Sequence, residues 1–337
     1  MGYRAEKEKV DKKIKIIRWT ALCVALVLLL TFCTFSIFCP PKTWKYYVKK
    51  PKLAKRAAGE LRMHFLDVGQ GDSILIELPD GKVALIDGGN AAESTSTYIL
   101  RYMNALKIDV IDYLVVTHVD SDHCGGLTDV VKNKKVLNAY LPATKPEKAG
   151  AAYAELYVEI LEDCEPQYAS RSVSLSSADG DYPYTFSFVY PYTDYLKEDV
   201  IDAFAKTDNA TSSVMWLDYM GTSALFTGDA PCEVEAMLQR DHSLGLLVNH
   251  GIDLDSTEIL KVSHHGSDDS TAIEFLRYLQ VKTAVVSCGE NNRFGHPSQT
   301  VQNMLDSVGA KLYRTDKQGT VCITVKNTGE YSVNTAK

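Results

Sequence analysis

Residues 114–126 read LVVTHVDSDHCGG and place His118, Asp120, Asp122 and His123 within six positions at the end of an apolar run. Leu114, Val115 and Val116 have the pattern of a buried strand, and Gly125 and Gly126 that of a turn or helix entry. Imidazoles and carboxylates bunched where a strand stops are costly to desolvate unless something pairs with them. Nitrogen and oxygen donors mixed in this way suit a divalent ion such as Zn²⁺, Mn²⁺ or Fe²⁺.

The same device recurs along the chain. Five of the eight histidines fall in three short segments, each after a predicted strand: the pair above, His264 and His265 in LKVSHHGSDDST, and His296 in NNRFGHPS. ALFTGDA sets Asp229 at a fourth strand end. One histidine at a strand end ordinarily caps backbone or meets solvent. Three such segments together with an aspartate predict a shared site.

The 337 residues are 45% aliphatic and aromatic, enough for a sizeable core. The net charge of -7 is unevenly spread. Residues 1–59 hold 14 Lys or Arg against Glu6, Glu8 and Asp11, which leaves 22 basic and 40 acidic residues beyond them, a net of about −18. So acidic a body argues against broad, sequence-independent nucleic-acid binding. Residues 21–38, ALCVALVLLLTFCTFSIF, are just long enough to cross a bilayer, and no small-x-small cleavage site follows. The organisation expected is a basic tail over 1–20, a transmembrane anchor over 21–39, a basic linker over 40–59 and one large domain over 60–337. A short tail before a long domain predicts a single-pass cell-membrane protein with the domain outside. The cysteines form no C-x-x-C pair and no disulfide framework.

From Leu61 the pattern changes to short apolar runs between turns. LRMHFLDVG, DSILIELPDG and KVALIDGG read as three strands, STSTYILRYMNAL as a helix and VIDYLVVTH as a strand. Further strands are predicted at YTFSFVY, SSVMWLDY, TSALFTGD, EILKVSHH, KTAVVSCG, AKLYRT and TVCITV, with helices over 150–163, 231–240, 270–280 and 298–308. Hairpins followed by strands alternating with helices give an α+β mixed sandwich. No G-x-G-x-x-G and no Walker loop is present, so no nucleotide cofactor is expected.

Taken together, HFLDVGQGDSILIELPDGKVALIDGG, VVTHVDSDHCGGL, LFTGD, LKVSHHGSDDST, GENNRFGHPS and LYRTDKQG make the chain, over roughly residues 61–325, resemble the metallo-β-lactamase fold hydrolases of the type found at the C-terminal end of the competence protein ComEC. One apolar segment stands where ComEC has a membrane channel. The resemblance implies an αββα sandwich with a metal site at one edge of two sheets. In the wider fold the main motif is H-x-H-x-D-H. Carried over, His118 is the first ligand, Asp120 takes the second histidine's place, Asp122 is the carboxylate and His123 the last imidazole. Asp229 matches the carboxylate that bridges two metals, and one of His264 and His265 the late histidine ligand. The fold's additional histidine between these motifs is missing, since none occurs between His123 and His242. One full site and one weaker, oxygen-rich site of His118, Asp120 and Asp229 are therefore expected, holding one to two ions of Zn or Mn.

Asp122 and His296 are expected nearest the chemistry, His296 as substrate contact or proton donor to the leaving group. Asn209, Ser212 and Ser213 fall near the missing motif and are candidates to hold a phosphate oxygen; Arg293 is a candidate to pair with phosphate. Asp67, Gln70 and Asp72 are expected to support the ligands or to make the turn, and Asp87 to order the motif loop. The function expected is hydrolysis of a phosphodiester. It would be DNA if Arg293, Lys261 and Lys282 form a basic groove, or a smaller ester such as a cell-wall phosphorylcholine group. The alternative is a non-catalytic binding module stabilised by metal.

Overall fold

The computed structural model describes residues 2–38, 40–177, 180–192, 208–247 and 251–337. Two compact units divide the chain, Met1–Lys50 and Pro51–Lys337. The first is the helix Gly2–Phe38 followed by the 3₁₀ turn Pro41–Tyr46. Thirty-seven helical residues span about 55 Å. That exceeds the roughly 30 Å of a hydrocarbon core, so the charged half, with Lys7 to Arg18, would lie outside it. Trp44 folds back to set its ring 5.9 Å from Phe32 and 6.1 Å from Phe35.

The second unit is built on two mixed sheets. In the first, Leu61–Phe65, Ile74–Glu77 and Val83–Ile86 pair antiparallel in sequence order, and Val321–Val325 and Tyr331–Thr335 extend the Leu61 side. On the other side Tyr113–Val115, Ala139–Leu141 and Gln167–Tyr168 add on in parallel. In the second sheet Thr185–Tyr190, Val214–Tyr219 and Thr222–Phe226 are antiparallel; Ile259–Lys261, Thr283–Val286 and Lys311–Arg314 then follow in parallel. The predicted VIDYLVVTH strand is split at Asp112, whose side chain accepts from the Val83 amide at 2.8 Å. The last strand, Tyr331–Thr335, is not among those predicted: Tyr331 and Val333 alternate with Ser332 and Asn334 and pack against the core, but the run is short and half-exposed.

Period-two alternation sorts the side chains. Met63 and Phe65 meet Phe186, Phe188, Met215, Leu217 and Phe226 between the sheets. Trp216, Leu225 and Leu260 point from the second sheet to the opposite face, against the helices Cys232–Ser243, Ile273–Leu279 and Gln299–Ser307. Both faces of the second sheet are therefore dry, and the helices cover what the first sheet does not. Phe186 is fully buried, with its ring 6.4 Å from Phe226. Phe186→Ala should cost about 3–5 kcal/mol in denaturant unfolding while leaving metal content unchanged; a loss below about 1 kcal/mol would mean that this layer is not the core.

Candidate metal centre

Strands that run parallel end on the same side of a sheet, and loops at their carboxyl ends converge there. Ile86, Val115, Phe226 and Lys261 are such ends. Just beyond them lie Asp87, the loop from Thr117 to His123, Asp229, and the pair His264 and His265. Close approach of these loops needs glycine. A Cβ on Gly71 would run into the Asp122 carbonyl, and one on Gly126 into that of Gly88.

Asp229 is the hub. Its carboxylate lies 3.2 Å from His123 Nε2, 3.4 Å from His265 Nε2, 3.8 Å from His264 Nε2 and 4.0 Å from His118 Nε2. Asp122 reaches His265 Nε2 at 3.4 Å, and Asp120 reaches His118 Nε2 at 3.7 Å. The three buried rings divide their nitrogens in the same way. His123 Nδ1 donates to Asp87 at 2.8 Å, His265 Nδ1 donates to the Ser287 carbonyl at 2.9 Å, and His118 Nδ1 sits 3.0 Å from the Thr117 hydroxyl. Outward bonds of this kind fix the tautomer and aim the other nitrogen inward. Asp87, itself at φ 58°, also accepts from the Thr117 amide and hydroxyl at 2.8 and 2.7 Å.

Nε2 of His118, His123 and His265, with Asp229 Oδ1 and Asp72 Oδ1, are all buried and have no hydrogen-bond partner among the described residues. Each such atom costs about 1–3 kcal/mol when left unmet. Asp72, His123, Asp229 and His265 offer donor atoms all within 4.8 Å of one another. The residues therefore fit a divalent cation: orphaned imidazole nitrogens and carboxylate oxygens facing one point. Electrostatics agree. Burial disfavours a charged His123, yet Asp229 and Asp87 hold it well above its ordinary value. Burial likewise opposes ionised Asp229, but His123 and His265 keep it far below the carboxylate range. Without an ion the group neutralises itself with protons, and a cation would displace them.

The backbone under the pair is strained. His264 and His265 have φ of 45° and 54°, followed by Gly266 at 84°. Two non-glycine residues in that region cost of order 1–3 kcal/mol each. A hydrogen bond from the His264 amide to the Gly228 carbonyl, 3.1 Å, ties the turn to the Asp229 loop. The twist sends the two rings apart. His265 enters the buried group, while His264 is half-exposed and bonds through Nδ1 to Asp269 at 2.8 Å.

Other expected residues fall in varied places. Asp72 belongs to the donor group rather than supporting it from outside. Asp67 stands apart, paired to Lys337 at 3.3 Å, and does not touch the donors. Gln70 accepts from the Gly289 amide at 3.2 Å and so ties its loop to the segment carrying His296. Ser212 is fully buried and accepts from the Asp229 amide at 3.2 Å, which leaves it no open side toward a substrate. Ser213 is also fully buried. The Asn209 amide stands 3.4 Å from the His264 ring nitrogens. His296 is half-buried, with its ring 5.7 Å from His264 and 6.4 Å from His265, and Arg293 is exposed beside it over Phe294. The expected basic groove loses two members. Lys261 is buried and paired to Asp72 at 2.6 Å, and Lys282 is paired to Glu258. Lys261 is one of the residues that sequence reasoning misplaced. Its signal was a lone charge inside the apolar run ILKV.

Residues 66–290 match the metallo-beta-lactamase superfamily, and the chain belongs to that family. It is 31% identical over 296 residues to ComE operon protein 3 of Bacillus subtilis (strain 168), which covers 82% of this chain and 34% of that protein. It is 31% identical over 253 residues to Competence protein ComA of Neisseria gonorrhoeae, covering 75% of this chain and 30% of that protein. The chain thus spans about a third of the length of the curated relatives it matches. Among solved structures, CmlA, a diiron beta-hydroxylase from Streptomyces venezuelae, aligns over 77% of this chain and 53% of its own, with TM-score 0.47 and 12% identity.

Asp87→Ala removes the partner of His123 Nδ1 and of Thr117 together. It should weaken Zn or Mn affinity about 10–100-fold in a chelator competition. Unchanged affinity would show that His123 is aimed by something else.

Proposed function

We propose that the chain is a membrane-anchored, metal-dependent hydrolase of phosphodiester bonds, with its domain on the outer side of the cell membrane. One observation carries the reading: partnerless imidazole nitrogens and the Asp229 carboxylate converge at a rim whose other side is open. Asp120, 41% exposed at its side chain, forms that open side, with the exposed Arg293 and the half-buried His296 as further groups for a substrate. Asp122, His123, His265 and Asp229 would hold one Zn or Mn, with Asp72 against the same ion. His118, Asp120 and Asp229 would hold a second, weaker one. The bound ion supplies a Lewis acid and makes water acidic enough to attack near neutral pH.

The chain's own residues do the rest. Burial, and the neighbouring His265 and His264, hold His296 below its ordinary value, so it is neutral at pH 7. A neutral imidazole there can take a proton from the attacking water and return it to the leaving oxygen. Arg293 is placed to pair with a phosphate oxygen. His264, fixed by Asp269, stands between Asp229 and the open side. With Lys261 and Lys282 engaged elsewhere, little remains of a basic track, which favours small or mixed-charge esters. Two relatives are named for competence and recombination, and this keeps DNA among the substrates to test.

Turnover of the metal-loaded chain should be measured on bis-p-nitrophenyl phosphate, a phosphorylcholine ester and single-stranded DNA across a salt series. Small-ester hydrolysis should be nearly flat with salt, whereas DNA cleavage should fall steeply. Asp229→Asn should abolish either activity, and His296→Ala should lower kcat with metal content intact. Metal uptake with no turnover on any of the three would favour the binding-module reading instead. Protease added to intact cells should digest the domain; digestion only after lysis would reverse the orientation.

A further inference from the structure

The outer face of the first sheet carries a second polar cluster, remote from the donors described above. Alternation along Leu61–Phe65 sends Met63 and Phe65 into the core and Arg62 and His64 to the opposite face. In the antiparallel pair with Val321–Val325, His64 stands directly across from Cys322. The imidazole is clamped: Nδ1 lies 3.0 Å from the Tyr102 hydroxyl and Nε2 3.1 Å from Glu77 Oε1. Glu77 in turn lies 3.7 Å from Arg56, and Arg62 donates to Glu60 at 3.1 Å. Together Lys52, Arg62, His64, Tyr98, Tyr102 and Cys322 line a cavity of about 500 Å³. That volume is typical of small-molecule sites. The Arg62 side chain is 9% exposed; its terminal nitrogens donate to the Ala54 and Lys55 carbonyls and to Glu60, and its Nε is buried with no hydrogen-bond partner among the described residues.

We propose that Cys322 is a modification site, a nucleophilic sulfur facing His64 across the strand pair, in a cavity that takes a small anionic disulfide. In the step, Cys322 Sγ attacks one sulfur of the disulfide. The reagent's S–S bond breaks, a mixed disulfide forms on Cys322, and the other half leaves as a thiolate. The disulfide is the oxidant, the thiol's proton passes to solvent, and the thiolate faces the imidazole that Glu77 and Tyr102 hold. Arg62 and Lys52 supply the positive charge that favours an anionic reagent.

Electrostatics support the geometry. Burial raises the thiol, but His64, with smaller help from Thr324 and Arg62, brings it below its ordinary value. Against its own burial, His64 is pushed up to about 9 by Cys322 and Glu77. Cys124, Cys164, Cys232 and Cys288 differ, each raised by burial. Reactivity follows thiolate character and access, so the domain's cysteines should separate clearly.

The test is labelling of the full chain in detergent micelles with 5,5′-dithiobis(2-nitrobenzoate), a dianionic disulfide, and with cystamine, a dicationic one, followed by peptide mapping. Cys164 and Cys232, both partly exposed, are internal references. At pH 7 Cys322 should react about tenfold faster than either. Normalised to Cys164, its preference should be for the anionic reagent. His64→Gln should slow Cys322 and shift its pH–rate profile upward. Equal rates for Cys322 and Cys164, or an unmoved profile in His64→Gln, would overturn the proposal. If that variant fails to fold, the wild-type profile decides: a Cys322 midpoint at or above that of Cys164 has the same force.

Discussion

Everything at the rim depends on one desolvated carboxylate. Asp229 is 2% exposed and faces three imidazoles that are themselves buried. An isolated charge in that position would cost several kcal/mol. The fold meets the cost by bringing loops from both sheets to the same point. His118 and His123 come from the first sheet, and Asp229, His264 and His265 from the second. The parallel halves of the sheets are what make this possible, because only parallel neighbours deliver successive loops to one side. The antiparallel halves and the helices supply the dry core that holds those ends in register.

Aim matters as much as proximity. Each buried imidazole has its Nδ1 committed outward, to Asp87, to the Ser287 carbonyl or beside the Thr117 hydroxyl, so Nε2 has one direction left. The positive φ at His264 and His265 belongs to the same arrangement. An ordinary turn would not send adjacent rings to two different tasks, one inside the buried group and one beside Asp269.

Much of this was legible in the sequence, for identifiable reasons. Strands in the core show clean alternation or unbroken apolar runs, and donors at strand ends stand out because charge after such a run is unusual. Asp229, Asp122 and both histidine pairs were visible on that ground. Ser212 and Lys261 were not placed correctly, because sequence distance does not say whether a polar side chain faces solvent or backbone. Ser212 looked like a substrate contact and instead braces the Asp229 amide. Asp67 and Asp72, five residues apart in one motif, part company because Gly69 and Gly71 turn the chain between them, at φ of 76° and 124°. The strand Tyr331–Thr335 gives only a weak signal, Tyr331 and Val333 in five residues, because it completes one edge of the sheet.

Lys261 bears on how many ions the centre favours. Its ammonium takes Asp72 Oδ2 at 2.6 Å and also donates to the Val262 and Gly228 carbonyls, at 2.9 and 3.3 Å. Burial and the ammonium pull Asp72 in opposite directions, and the ammonium, helped by His265, keeps the carboxylate ionised. The inner half of the rim thus carries a fixed positive charge before any metal arrives, and its carboxylates are already partly neutralised. The outer half is made differently. Asp120 is open to water, so solvent competes for that donor, although His118 and Asp229 beside it are buried. On the proposed assignment a first ion would gain from the dry inner donors, whereas a second would have to displace water from Asp120. The exposure of Asp120 that would weaken a second ion there would also leave that side open to an oxygen of the proposed substrate.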